Sequence, residues 1–186
     1  MGGFMIRGIF FVVGSLFILF FSRRAIMNPE VHGFYRFFAF EGILILILIN
    51  HPRWFKDPFS PLQCLSWFLL ATSIFFVFHA IMLLKKHGGY AQRKDTPENH
   101  SFENTVRVVE EGLYRYVRHP MYSSLLFLAW GAFLKHITQV NIALIFMITI
   151  VLIVAAVIEE NENIKFFGEA YKAYRRRSRM FIPWVF

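Results

Sequence analysis

The stretch 140–158 reads VNIALIFMITIVLIVAAVI and contains no charged side chain before Glu159 and Glu160. A helix needs roughly 20 apolar residues to cross the hydrocarbon core of a bilayer, and this run has that length. Only helices and closed barrels satisfy every backbone hydrogen bond in lipid, and the run lacks the strict alternation of barrel strands. The stretch therefore predicts a membrane-spanning helix with two carboxylates at its end.

Further apolar segments lie on the N-terminal side of this one. Of the 186 residues, 56% are hydrophobic and 24 are phenylalanine, which is unusual for a soluble domain. We predict an all-α integral membrane protein with about five transmembrane helices in one domain, residues 1–186. Residues 1–84 hold three N-terminal helices, the first a retained anchor, and residues 85–186 hold the polar motifs and a helical hairpin. The predicted segments are about 8–21, 34–50, 62–84, 121–138 and 140–158.

Two polar regions, residues 85–119 and the tail from Glu159 onward, are predicted to lie on one side of the membrane. The segments between them are joined only by residues 136–139, so they form a hairpin that crosses and returns. Lysine and arginine crowd this side and mark it as cytosolic. They are Arg23, Arg24, Arg36, Lys85, Lys86, Arg93, Lys94, Arg107, Arg115, Arg118, Lys165, Lys172, Arg175, Arg176, Arg177 and Arg179.

The opposite side is poor in positive charge, which decides the predicted orientation. We expect the N-terminus outside and the C-terminus in the cytosol, as in a multi-pass protein of a bacterial inner membrane. The basic residues on the outer side are only Arg7, Arg53, Lys56 and Lys135.

The formal net charge of +8 indicates an anionic partner. Because the basic residues border apolar segments, anionic phospholipid headgroups are expected and nucleic acid is not. No metal site is predicted, since none of the seven histidines has the i, i+4 spacing of a helical metal site and Cys64 is the single cysteine. Nothing in the sequence indicates an oligomeric state.

The densest polar cluster reads EEGLYRYVRHPMY at residues 110–122, where the chain re-enters the membrane. Pro120 suits the first turn of a helix, and it favours an extended conformation for His119. A helix N-terminus with Arg118 and His119 beside it is a candidate site for a carboxylate or a phosphate. From composition alone, an interfacial anchor at headgroup level is the commoner role for such a cluster.

The second motif is the pair Glu159-Glu160. Adjacent carboxylates at the hydrocarbon boundary are costly unless they are paired or solvated, which favours a ligand with hydroxyl or ammonium donors, such as a ribose or an amino group. The simpler interpretation is a hydrated membrane exit.

The third motif is FFGEAYKAY at residues 166–174, followed by RRRSR at 175–179. Phe167, Tyr171 and Tyr174 recur near helical spacing, which predicts an amphipathic surface helix. The basic run after it is typical of a stripe that binds headgroups.

These three motifs, in this order around a helical hairpin, resemble those of the isoprenylcysteine carboxyl methyltransferase and phospholipid methyltransferase superfamily. The resemblance covers about the last 80 residues, whereas the first three segments match only in hydropathy. It rests on Gly112-x-Tyr114-x-x-x-Arg118-His119-Pro120-x-Tyr122, on Glu159-Glu160 and on Phe167-Gly168-x-x-Tyr171-x-x-Tyr174.

The resemblance implies methyl transfer from S-adenosylmethionine bound at the cytosolic membrane surface. The acceptor, a lipid or a prenylated small molecule or protein, is then expected to enter sideways from the bilayer. Glu41, an ionisable group inside a membrane segment, and Tyr171 are the candidate substrate-side residues. No catalytic base is assigned, because an activated sulfonium needs alignment more than acid–base help. The implied cofactor contacts are Tyr114, Arg118, His119, Tyr122, Glu159 and Glu160.

Two departures from the superfamily pattern concern the acceptor. Members that methylate a prenylcysteine carboxylate tend to carry an arginine about one turn before the Glu pair, where this chain has VAAV at residues 154–157. A carboxylate acceptor is therefore no more expected than another lipid, an amine or a thiol. Polar residues, Asn161-Glu162-Asn163, also replace the leucine often found after the pair.

Two other functions stay open on the sequence alone. Sterol reductases resemble this C-terminal pattern while binding NADPH, and the basic run from Arg175 to Arg179 suits a 2′-phosphate. A non-catalytic membrane scaffold or transporter would instead use Glu41 and His79 as marks of an internal pathway.

Overall fold

The computed structural model describes residues 2–89 and 105–183, and all regular structure in these ranges is helical. This confirms the predicted all-α class. Residues 90–104 of the predicted cytosolic loop, with Arg93 and Lys94, lie outside the described residues. Short 3-10 turns lie at Ala25–Met27, His51–Arg53 and Gly112–Arg115. The α-helices are α1 (Gly2–Ser22), α2 (His32–Asn50), α3 (Pro61–His87), α4 (Pro120–Phe133), α5 (Gln139–Phe167) and α6 (Glu169–Arg177).

Within the described residues, four helices, α1, α2, α3 and α5, are long and apolar enough to cross a membrane. The fourth predicted segment, 121–138, is wrong at its C-terminal end, because α4 has 14 residues and stops at Phe133. The chain turns there when the amides of Leu134 and Lys135 donate to the Trp130 and Ala132 carbonyls.

Helix α5 is longer than predicted and carries the Glu pair within it. The uncharged run ends at residue 158, but the helix continues to Phe167. It ends where Gly168 adopts φ 61°, a conformation that residues with a side chain rarely adopt. Glu159 and Glu160 therefore project from an ordered helix and do not mark its end.

The core lies between α2, α4 and α5, where small residues let the helices approach closely. Ala39, Ala155 and Ala156 are completely buried. A side chain at Gly42 of α2 would meet Ile148 of α5 at 2.8 Å. Helix α1 lies outside this core, has no buried residue and packs along α2.

Polar contacts fasten the end of the bundle opposite the motifs. Asn141 of α5 donates to Asn50 Oδ1 of α2 over 2.8 Å, and Asn50 donates to the Ala132 carbonyl of α4 over 2.8 Å. Lys135, predicted as an outer-side charge, is 3% exposed, and its ammonium lies 3.4 Å from the centroid of the Trp67 ring. These buried contacts fix the positions of α2, α3, α4 and α5 relative to one another at this end of the bundle. They thereby help to position the opposite ends of the same helices, where the polar motifs lie.

Candidate active site

A cavity of about 440 Å³ opens at the end of the bundle where the polar motifs meet. Small-molecule sites measure roughly 300–1,000 Å³, so this volume suits a ligand of cofactor size. Its lining combines polar and apolar side chains. The polar lining includes His32, Arg36, His119, Glu159, Glu162 and Asn163, and the apolar lining includes Phe40, Val77, Leu84 and Leu125.

The loop that contains Arg118, His119 and Pro120 is held against the C-terminal tail by backbone hydrogen bonds. The amides of Arg118 and His119 donate to the carbonyls of Arg179 and Met180 over 2.7 and 3.1 Å. Pro120 begins α4, as predicted, with His119 before it at φ −121° and ψ 60°. These loop amides are already occupied, so they are not donors for the anion predicted at this helix N-terminus.

Glu160 lies beneath this loop and is not among the residues that line the cavity, so the cofactor contact predicted for it stays a prediction. Its side chain is 2% exposed, and its two oxygens accept from Arg118 Nε at 2.7 Å and from Arg175 Nε at 2.9 Å. Arg118 also donates to the backbone carbonyls of Arg175 and Ser178. The buried carboxylate ties α5 to the loop and to α6, and the Arg118 guanidinium is engaged by these partners.

Glu159 faces the cavity between two imidazole rings. Its side chain is 30% exposed, with Oε1 3.7 Å from His119 Nδ1 and Oε2 3.9 Å from His32 Nε2. The His119 ring stacks on the ring of Tyr122, with centroids 5.6 Å apart. All the predicted cofactor residues except Glu160 line the cavity.

The family model of phospholipid methyltransferases matches residues 62–170, which is more than half of the chain. The chain belongs to the phospholipid methyltransferase family. This membership confirms the superfamily resemblance, and the match contains the loop at Arg118, the Glu pair and the start of α6.

Several relatives of this family member are named methanethiol S-methyltransferases. A methanethiol S-methyltransferase of Crocosphaera subtropica is 28% identical over 174 residues, covering 87% of this chain and 64% of the relative. One of Pseudomonas deceptionensis is 28% identical over 119 residues, covering 64% of this chain and 42% of the relative. Methanethiol S-methyltransferase 1 of Bradyrhizobium diazoefficiens is 35% identical over 72 residues, covering 39% and 25%. The chain thus spans less than two thirds of each relative, and no solved structure matches it.

Part of the cavity of this phospholipid methyltransferase family member comes from residues outside the family match. His32, the first residue of α2, is buried, and its Nδ1 lies 2.7 Å from Glu162 Oε2. The His32 amide also donates to Glu162 Oε1 over 3.0 Å. Sequence reasoning missed His32, Arg36 and Glu162. Glu162 follows Glu159 by three residues, a helical spacing that signals a shared face, whereas nothing local marks His32.

The polar residues after the Glu pair and the aromatic residues of α6 form one wall of the cavity. Asn163 and Tyr171 line the cavity and share a side-chain hydrogen bond. Phe167 stacks on Tyr171 with centroids 6.3 Å apart, and the Tyr174 hydroxyl donates to the Tyr114 carbonyl over 2.6 Å. Burial, reinforced for Tyr171 by the charges of the Glu pair, raises the pKa of both α6 phenols. The phenols therefore stay neutral, and the predicted amphipathic helix turns its aromatic face toward the protein.

Two ionisable groups singled out from the sequence lie away from this wall. Glu41 accepts a hydrogen bond from Ser15 of α1 over 2.7 Å and is not among the residues that line the cavity. His79 of α3 stacks on Phe75 with ring centroids 5.4 Å apart. Of the predicted substrate-side residues, Tyr171 is brought to the cavity and Glu41 is not.

Proposed function

We propose that this protein transfers a methyl group from S-adenosylmethionine to an apolar acceptor that reaches the cavity from the bilayer. The observation that carries the proposal is the partly exposed carboxylate of Glu159, which faces a cavity of cofactor size beside the family motif at His119. A hydroxyl or ammonium donor on a ligand would satisfy that carboxylate.

The lining residues fit the chemistry of this cofactor. Glu159 suits its ribose hydroxyls or its ammonium group, and the rings of Tyr122, Phe167 and Tyr171 offer flat surfaces to its adenine. When bound, the cofactor supplies a methyl group already activated on a sulfonium. The protein then has to align the acceptor with that methyl group and exclude water, and alignment alone accounts for several powers of ten in rate.

The apolar lining supports an acceptor that dissolves in lipid. Phe40 of α2 and Val77 of α3 line the cavity from two helices that are long and apolar enough to cross a membrane, and Leu125 of α4 adds to this apolar lining. Residues 154–157 offer no arginine to bind an acceptor carboxylate, and Ala155 and Ala156 at these positions are completely buried in the core. Since relatives are named for methanethiol, a small apolar thiol is the acceptor class to test first.

Ion pairs in the C-terminal tail argue against the reductase alternative. The basic run that suited a 2′-phosphate is partly engaged, since Arg175 pairs with Glu160 and Arg177 pairs with Glu110. Membership in a methyltransferase family points the same way.

Calorimetric titration of the detergent-purified chain with S-adenosylhomocysteine, with NADPH in parallel, tests the proposal. Binding of S-adenosylhomocysteine alone is expected, followed by transfer of labelled methyl to a thiol such as 1-butanethiol. Binding of NADPH alone would replace the proposal with the reductase, and binding of neither would favour a scaffold.

A further inference from the structure

His32 has a geometry that cofactor binding does not explain. It is 1% exposed, lies at the first residue of α2 and lines the cavity opposite His119 across Glu159. Burying an imidazole costs free energy unless its polar atoms have hydrogen-bonding partners, so the contacts around His32 need an explanation.

The contacts of His32 define which ring nitrogen is available. Glu162 accepts from the His32 backbone amide at 3.0 Å and lies 2.7 Å from Nδ1. A carboxylate only accepts hydrogen bonds, so Nδ1 carries a proton. Nε2 is then the position where the ring gains or loses its second proton, and Glu159 Oε2 is 3.9 Å from it, beyond hydrogen-bond distance.

The charged and titratable groups around the ring stabilise a proton on it. Two carboxylates, Glu159 and Glu162, face His32 from α5, and one guanidinium, Arg36, lies one turn further along α2. His119 faces the far side of Glu159. The balance of charge next to the ring is negative, which favours imidazolium once a proton is available.

A thiol acceptor that reaches the cavity through the hydrocarbon of the bilayer needs a group that accepts its proton. A charged thiolate is costly to carry in lipid, so the thiol arrives with its proton. The thiolate is the nucleophile, so the proton has to leave before or during methyl transfer. An acceptor that arrives as a carboxylate would need no such step.

We propose that the His32–Glu162 pair is the proton acceptor for a thiol that enters from the bilayer, an inference that rests on the proposed function. The S–H bond of the thiol breaks, its proton forms a bond to His32 Nε2, and the electron pair stays on the thiol sulfur. That sulfur forms a bond to the methyl carbon, and the pair of the broken S–CH3 bond stays on the donor sulfur. The products are a methyl thioether, S-adenosylhomocysteine and imidazolium, whose proton leaves past the partly exposed Glu159. Glu162 is a positioning residue that orients the ring and stabilises its charge.

The test compares wild type, His32→Gln and His51→Gln, since His51 is an exposed histidine at the opposite end of the bundle. With 1-butanethiol, His32→Gln is expected to lower kcat by about 10²- to 10⁴-fold, the usual contribution of a general base, while His51→Gln keeps the wild-type kcat. With benzenethiol, which ionises near neutral pH by itself, the loss should be much smaller. S-adenosylhomocysteine affinity should stay within about twofold in both variants.

Glu162→Gln provides a second variant that keeps the His32 side chain. Activity requires neutral His32, so kcat falls on the acidic side of the pH profile as the ring takes up its second proton. Removing the adjacent negative charge destabilises the imidazolium and is expected to move that acidic limb to lower pH. An acidic limb that stays in place overturns the role of Glu162.

A readout independent of activity comes from ¹⁵N-histidine spectra of the detergent-purified protein, with His32 assigned by the signal lost in His32→Gln. On the basic side of its titration, His32 should show a protonated Nδ1 and an unprotonated Nε2. A ring protonated on both nitrogens at the pH where the wild type is active overturns the proposal. So does an unchanged kcat for 1-butanethiol in His32→Gln, or a wild type that binds S-adenosylhomocysteine but methylates neither thiol. Failure of wild type to bind S-adenosylhomocysteine overturns the proposed function instead.

Discussion

Two neighbouring glutamates have different environments because successive helical residues point about 100° apart. Glu160 faces the loop and α6 and is matched by Arg118 and Arg175, whereas Glu159 faces the cavity. A pair that reads as one motif in the sequence therefore divides into a buried, ion-paired carboxylate and a cavity-facing carboxylate.

Replacement of Glu160 should act mainly on stability. Glu160→Gln leaves the buried Arg118 guanidinium without its counter-charge, and breaking such a pair costs about 3 kcal/mol. We expect a clear drop in Tm in detergent, measured by tryptophan fluorescence on heating. A Tm equal to wild type would contradict the structural role.

Replacement of Glu159 should act on ligand affinity. Glu159→Gln removes a charged acceptor, worth about 1.5–3 kcal/mol per hydrogen bond, so S-adenosylhomocysteine affinity should fall by about tenfold or more. The carboxylate is partly exposed and its nearest imidazole nitrogens are 3.7 and 3.9 Å away, so Tm should change little. The two Gln variants are matched controls for each other in both measurements.

At the scale of elements, the extension of α5 beyond its apolar run builds the polar wall of the cavity. Glu159, Glu162 and Asn163 occur on this extension, and Gly168 then turns the chain so that α6 places Tyr171 beside Asn163. The wall therefore depends on one helix running past the apolar stretch and on one turn of defined geometry.

Gly168→Ala tests that turn without adding a steric clash. A Cβ at Gly168 meets nothing within 4 Å, but φ 61° strains any residue with a side chain. A cost of about 1–3 kcal/mol is expected, with a lower Tm and weaker S-adenosylhomocysteine binding because α6 shifts. Gly8→Ala in α1 has the same open space and no positive φ, so it should leave both quantities unchanged. Equal effects of the two substitutions would contradict a conformational role for Gly168.

At the scale of the molecule, helix packing gathers the polar motifs at one end of the bundle and the Asn50–Asn141 contact at the other. Positive charge predicts that the end with the cavity faces the cytosol. That placement would give a soluble cofactor and a lipid-dissolved acceptor separate routes to one cavity.

Single cysteines test this orientation in a Cys64→Ser background. Lys85→Cys and His51→Cys place exposed thiols at the two ends of the bundle. In intact bacterial cells, a thiol reagent that does not cross the inner membrane is expected to label position 51 and to spare position 85 until the membrane is opened. The reverse pattern would invert the predicted topology.

The sequence by itself determined the helical class, the approximate helix positions and the family motifs. Apolar runs and motifs are local patterns, and local hydrogen bonding in lipid leaves a helix as the outcome for such runs. The helix ends were less predictable, because α4 stops where Lys135 packs against Trp67 and α5 continues until Gly168.

Only the tertiary structure decided which polar residues share a site. His32 and Glu162 are 130 positions apart, and their contact exists because α2 packs against α5. Helix geometry turns Glu159 and Glu160 toward different partners, and the packing of α1 along α2 leaves Glu41 beside Ser15. Hydropathy reports how long a helix is. The pairing of side chains across helices depends instead on which helix faces pack together. Small residues such as Gly42 and Ala155 allow that close packing, and which helix they face is known only from the tertiary structure.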